Sequence, residues 1–155
     1  MTYNKLANKL SALATGLAAS ALLLTAPLAS ARDTLHKFPI ESAVAKAQAS
    51  GQLASGIKLF FGAQKHAKPT TQLGETRTNK KTNFFNKTDQ EACDWAFQSS
   101  MIALTQYAQR VGGNAIVNIR SNYKNMEFSS ETEYQCGAGN VTGGTAFVGD
   151  VVKLP

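Results

Sequence analysis

The sequence predicts an α+β domain: one long helix packed on a mostly antiparallel sheet of about four strands, with a short N-terminal helix. Three observations predict it. Residues 88–111 carry a helix-start signal, an apolar face and a double-glycine stop. Two segments after residue 114 alternate in side-chain character across a short polar connection, a third follows a Gly-rich turn, and another alternating segment lies between Gly56 and Gly62. Strands joined by short connections pair as an antiparallel meander, which needs an apolar helix face to cover it.

Taken in order, residues 40–53 are rich in Ala, with Ile40, Val44, Ala47 and Leu53 at helical spacing and Gly51 near the end, which predicts the short helix. Ile57, Leu59 and Phe61 alternate with Lys58 and Phe60 as a first strand. Thr88-Asp89-Gln90-Glu91 has the Thr-x-x-Glu order of a capping box, and Asp89, Glu91 and Asp94 complement the positive end of the helix dipole. The helix runs to Val111 and stops at Gly112-Gly113. Its polar face is Asp94, Gln98, Thr105 and Gln109; Cys93, Ala96, Ser100, Ala103, Leu104, Tyr107 and Val111 face the core. Ala115, Val117 and Ile119 mark the next strand, Thr132, Tyr134 and Cys136 the one after a polar turn at 122–130, and residues 145–152 the last, beyond a Gly-rich turn at 137–144.

The beginning of the chain reads as an address. Lys5 and Lys9 precede an uncharged Ala- and Leu-rich run from Leu10 to Leu28, followed by Ala29-Ser30-Ala31. That order of basic end, apolar centre and small residues is the pattern of a secretory signal cleaved after residue 31. Ser11, Thr15, Gly16, Ser20, Thr25 and Pro27 interrupt the run, which argues against a membrane span, so no transmembrane segment is expected after cleavage. Residues 32–155 then form a single domain, periplasmic or secreted. Fourteen of the sixteen basic residues and all ten acidic ones lie after residue 31, so the mature net charge is +4 rather than +6.

Cys93 and Cys136 both fall in this part, and an exported chain meets a compartment where disulfides persist. A structural bridge is the favoured reading. Half of a metal site would need more ligands than His36 and His66 supply, and a redox pair usually has Cys-x-x-Cys spacing.

Charge is unevenly spread. Residues 65–87 show no periodicity and read as a loop, with Lys65, Lys68, Arg77, Lys80, Lys81 and Lys87 against Glu75 alone, a local charge of +5, while the rest of the mature chain sums to −1. With Phe84 and Phe85 interleaved, this loop is the candidate binding segment for a polyanion or a partner; the competing reading is a solvated loop pinned by its phenylalanines. The expected partners are an envelope protein or lipopolysaccharide, with nucleic acid disfavoured for an exported chain.

The helix, then Gly112-Gly113-Asn114-Ala115-Ile116-Val117, then a hairpin and Tyr134-x-Cys136-x-Ala138, resembles the sensory domain of the outer-membrane lipoprotein that feeds the Rcs envelope-stress phosphorelay. The resemblance spans residues 88–155 and implies a disulfide-supported domain that acts by contacting other envelope proteins, with no catalytic residues. This chain departs from that pattern in having one possible bridge rather than two and no acylated cysteine. Gly62-x-Gln64-x-His66 with residues 78–83 is also similar to exported proteins sometimes labelled excinuclease subunits. An ATPase of that kind needs a glycine loop ending in Gly-Lys-Ser/Thr, and none is present; Gly137-Ala138-Gly139 and Gly143-Gly144 read as turns.

No catalytic motif stands out. Glu131 and Glu133 share a strand face where carboxylates serve solubility and edge protection. Neither histidine has a recognisable partner, no serine sits in a Gly-x-Ser-x-Gly elbow, and Trp95 and Tyr107 read as packing. Asn86-Lys87-Thr88 and Asn140-Val141-Thr142 match the glycosylation acceptor pattern. A non-catalytic envelope binding or stress-sensing module is therefore expected, without metal or cofactor. A structural or chaperone-like periplasmic protein, or an enzyme without a recognisable motif, is the alternative.

Overall fold

The structure, a computed structural model, describes residues 32–155. The signal segment expected at 1–31 lies outside the described residues. The elements run β1 (Thr34–Pro39), α1 (Ile40–Ala49), β2 (Lys58–Phe61), β3 (Thr71–Asn83), α2 (Asp89–Arg110), β4 (Ala115–Tyr123), β5 (Met126–Phe128), β6 (Glu133–Ala138) and β7 (Thr142–Lys153).

This corrects the predicted architecture. Among the described residues the sheet has seven strands, not four, and it curls into a half-barrel; strand accounts for 43% of those residues and helix for 26%, so the sheet rather than the helix frames the domain. It is also mixed, because β2 pairs with β4 in parallel. The meander fails for a specific reason. The chain leaves the short β4–β5 hairpin and crosses to put β6 between β1 and β7.

β7 is the central strand. β3 runs antiparallel along one edge of it from Thr71↔Lys153 to Asn83↔Thr142. Its other edge is shared: β4 takes Phe147–Val152, and β6 takes Gly143 and Gly144. A bulge at Asn118, whose φ of 50° is left-handed, shifts the β4 register between Val117 and Arg120 and sharpens the curl.

The curl is filled by α2. Thr88 caps it by accepting the Glu91 amide hydrogen bond at 3.2 Å, and Gly112, at φ 79°, closes it. Its buried stripe is Ala92, Cys93, Ala96, Phe97, Ser100, Met101, Leu104, Thr105 and Ala108. Thr105, expected on the polar face, is buried because its hydroxyl bonds the Met101 carbonyl and accepts the Ala54 amide, whereas Val111, expected in the core, is exposed. Phe97 contacts Tyr134 at 4.6 Å and Phe147 edge-on at 5.5 Å, joining α2, β6 and β7. The Cys93–Cys136 disulfide ties α2 to β6 beside them. On the opposite face of the sheet Ala115, Val117, Val152 and Leu154 form a second, smaller cluster under Phe60.

Two expectations test this core. The disulfide closes a separation of 43 residues, for which loop entropy gives about 4 kcal/mol. Replacing Cys93 and Cys136 together by Ala is expected to lower the urea midpoint accordingly, and an unshifted midpoint would deny the bridge its role.

Tyr134 is wholly buried, and its hydroxyl donates to Asp94 at 3.3 Å; burial first, then the Asp94 charge, pushes its ionisation far above the ordinary tyrosine value. A group raised in this way contributes stability that is complete below about pH 10 and is lost as pH rises further, because only the unfolded chain ionises there. Alkaline denaturation of the Tyr134→Phe variant is expected to show a shallower pH dependence than wild type above that point. An identical slope would mean that Tyr134 is not held neutral by the fold.

Candidate functional site

The segment read as a basic loop is mostly strand. Residues 71–83 form β3, an edge strand whose one partner among the described residues is β7. The residues singled out from the sequence consequently scatter. Lys65 and Lys68 lie in the connection before β3, beside the end where Thr70 bonds Lys153. Lys87 follows the other end, and thirteen residues of strand separate the two by about 40 Å. Lys80 and Lys81, adjacent in sequence, point to opposite faces; Lys81 is exposed, and Lys80 half-buried.

Arg77 is taken up internally. On the outer face of the sheet it pairs with Glu75 at 2.8 Å, Glu75 meets Arg120 at 3.4 Å, and Arg120 pairs with Glu127 at 2.8 Å. The Arg120 side chain is 14% exposed. The Glu127 hydrogen bond raises its pKa in spite of burial, and the same bond holds the Glu127 carboxyl below its ordinary range. This ladder across β3, β4 and β5 neutralises Arg77, which leaves the candidate set.

What the fold does assemble is one end of the half-barrel. The start of β1, the β6–β7 turn, the end of β3 and the start of α2 meet there, because Thr34 pairs with Ala138 and Asn83 with Thr142. Phe84 is buried at 4% and anchors the turn into the core; its amide donates to the Val141 carbonyl at 2.7 Å. Phe85, whose amide bonds Asn83 Oδ1 at 2.8 Å, is left 62% exposed, and Val141 on the neighbouring turn is 59% exposed. The two phenylalanines treated alike in the sequence therefore have opposite roles.

Beside these turns, on the outer face, lies a recess of about 280 Å³ lined by Asn79, Lys81, Tyr123, Lys124, Thr142 and Gly144. A Cβ at Gly144 would come within 2.0 Å of the Lys80 carbonyl oxygen, so glycine is needed for β3 to approach β7, and Gly143 and Gly144 leave backbone exposed to the recess. Two ammonium groups, two hydroxyls and an amide around an open backbone suit an oxyanion. Lys124 also pairs with Asp33, and Arg32 with Asp89. Among the described residues no carboxylate pairs with Lys80, Lys81 or Lys87; the Lys87 ammonium donates to the Asn83 carbonyl.

Lys124, Tyr123, Asn79 and Thr142 escaped the sequence reading, since nothing local shows that the β4–β5 turn reaches β3. The remaining candidates resolve simply. Trp95 is 54% exposed on α2, not packed, while Tyr107 is half-buried against the core. Glu131 and Glu133 are both exposed. His36 Nε2 lies 2.7 Å from Asp89 Oδ2, close enough to pair but out of line for a hydrogen bond; His66 is exposed. Among the described residues there is no group of three or more metal-ligating side chains, and no helix is long and apolar enough to cross a membrane.

A second depression, of about 640 Å³, follows the open seam between α1 and β2, with Ile40, Val44, Leu59 and Phe61 as its walls and Glu41, Gln48, Gln64 and Glu131 on its rim. Gln64 spans it, accepting from the Phe61 amide and donating to the Glu131 carbonyl, both at 2.9 Å.

The residues that carry the resemblance to the sensory lipoprotein are framework: Gly112 ends α2, the Asn114 side chain bonds both the amide and the carbonyl of Leu154, and Tyr134, Cys136 and Ala138 face the core. No family model matches the chain, and no curated protein or solved structure shows significant similarity to it.

Proposed function

We propose that the chain is a non-catalytic binding module of the bacterial envelope that contacts polyanions through the lysine-bearing end of its half-barrel. The observation that carries this is the convergence of Lys81 and Lys124 on one recess, with Lys87 just beyond the end of the same strand and neither Lys81 nor Lys87 holding an acidic partner among the described residues. Unpaired lysines on a rigid frame attract anions at no cost in broken ion pairs. The disulfide fits an oxidising compartment outside the cytoplasm, as the signal pattern in the sequence does. The framework resemblance to the envelope sensor implies action by contact rather than by turnover, and agrees with this reading.

Binding of inorganic polyphosphate, followed by fluorescence anisotropy of the labelled protein, tests it. At about 1 kcal/mol per lysine–phosphate contact near the surface, losing two contacts is worth roughly a thirtyfold change in affinity. Lys81→Glu with Lys87→Glu is expected to weaken binding by that order, whereas Lys65→Glu with Lys68→Glu, at the far end of β3, is expected to change it little. Equal effects from both pairs would reduce the proposal to non-specific attraction.

A further inference from the structure

We infer that the polyanion met by this end of the domain is the surface of an anionic phospholipid bilayer, into whose interface Phe85 and Val141 insert while Lys81, Lys87 and Lys124 meet headgroup phosphates. The inference rests on the proposed polyanion-binding reading and adds an apolar component that the reading does not require.

A dissolved polyanion leaves exposed apolar side chains in water. Here a phenylalanine and a valine stand 62% and 59% exposed on two turns whose backbones are bonded to each other through Phe84 and Val141. Neither is a loose side chain on a loose loop. Phe84 plugs the first turn into the core, Asn83 Oδ1 holds the Phe85 amide, and the Gly139 amide bonds the Thr142 carbonyl at 3.1 Å across the second. The turns thus present two apolar side chains outward on a frame ordered in advance, which lowers the entropy lost on insertion. Lysines flank them on both sides, with Lys81 two residues before the β3 end and Lys87 immediately before the α2 cap. Apolar tips ringed by lysine match the layered chemistry of an anionic interface, with phosphates outside and acyl chains beneath.

The seam groove, by contrast, has acids on its rim and no feature that identifies an occupant.

The test uses the mature chain, residues 32–155, and a local probe, so that contacts made elsewhere do not confuse it. In a Trp95→Phe background, which removes the single native tryptophan, Phe85→Trp is compared with Gln106→Trp, an exposed site on α2 roughly 25 Å from its start. Each is mixed with vesicles of phosphatidylglycerol carrying brominated acyl chains. The Phe85→Trp indole is expected to be quenched at least twofold with a blue shift, and the Gln106→Trp indole unaffected. Quenching is expected to be lost in Lys81→Glu with Lys87→Glu and in vesicles of phosphatidylcholine alone carrying the same brominated chains. No quenching of the Phe85→Trp indole, or equal quenching at both positions, overturns the inference. If polyphosphate still binds in that case, the polyanion reading survives it; if polyphosphate fails as well, both fall. Quenching replaced by binding to lipopolysaccharide alone also overturns the phospholipid assignment.

Discussion

The seating of α2 inside the curl of the sheet is the contact on which the rest of the domain depends. Phe97 lies between Tyr134 and Phe147, and the Cys93–Cys136 bond locks the same helix face to β6 one turn earlier. Buried hydroxyls register the contact further along, where Ser100 and Thr145 share a hydrogen bond at 2.9 Å. Because the first turn of α2 follows directly on Phe84 and Phe85, fixing the helix fixes the turn that precedes it. The apolar core therefore sets the geometry of a surface several residues away from it.

Strand geometry, rather than the density of lysine in the sequence, decides which charges act together. A run of basic residues in a helix or a loop can converge on one ligand, but β3 is extended, and it sends neighbours to opposite faces and distant residues to opposite ends. Arg77 sits on the outer face and is consumed by Glu75; Lys81, four residues on, shares that face but reaches the recess shared with β4 and β7. The functional unit proposed here joins residues from positions 79 to 142, brought together by the pairing of β3 and β4 with β7. Edge strands with lysine also resist pairing with other chains, so the same residues protect the exposed edge of β3.

The start of α2 was legible because it depends on local chemistry. Thr88 and Glu91 announce the α2 cap, although only the Thr88 half of the capping box forms a hydrogen bond. The strands beginning at Ala115 and Glu133 were legible because apolar and polar residues alternate there. β3 was not, since its inner face is filled by Thr76, Thr78, Lys80 and Thr82 and its outer face by charged and amide side chains, which leaves Leu73 as its one apolar member. Threonine favours a strand without producing a hydropathy period. β1 and β5 were missed for being short and pairing only with neighbours distant in sequence or across a tight turn. For the binding surface, Lys81, Lys87 and Phe85 were legible as chemistry, but the partition of Phe84 from Phe85 and the arrival of Lys124 are tertiary facts.

The claim that this end of the half-barrel, and not the seam groove, is the binding surface is tested most directly by mapping amide chemical-shift changes on titration with a short-chain phosphatidylglycerol. The account expects the largest changes at Lys81, Phe85, Lys87, Lys124 and Val141, with the groove amides of Leu59, Gln64 and Glu131 unmoved. Changes concentrated at Leu59, Gln64 and Glu131, with the lysine end silent, would contradict it.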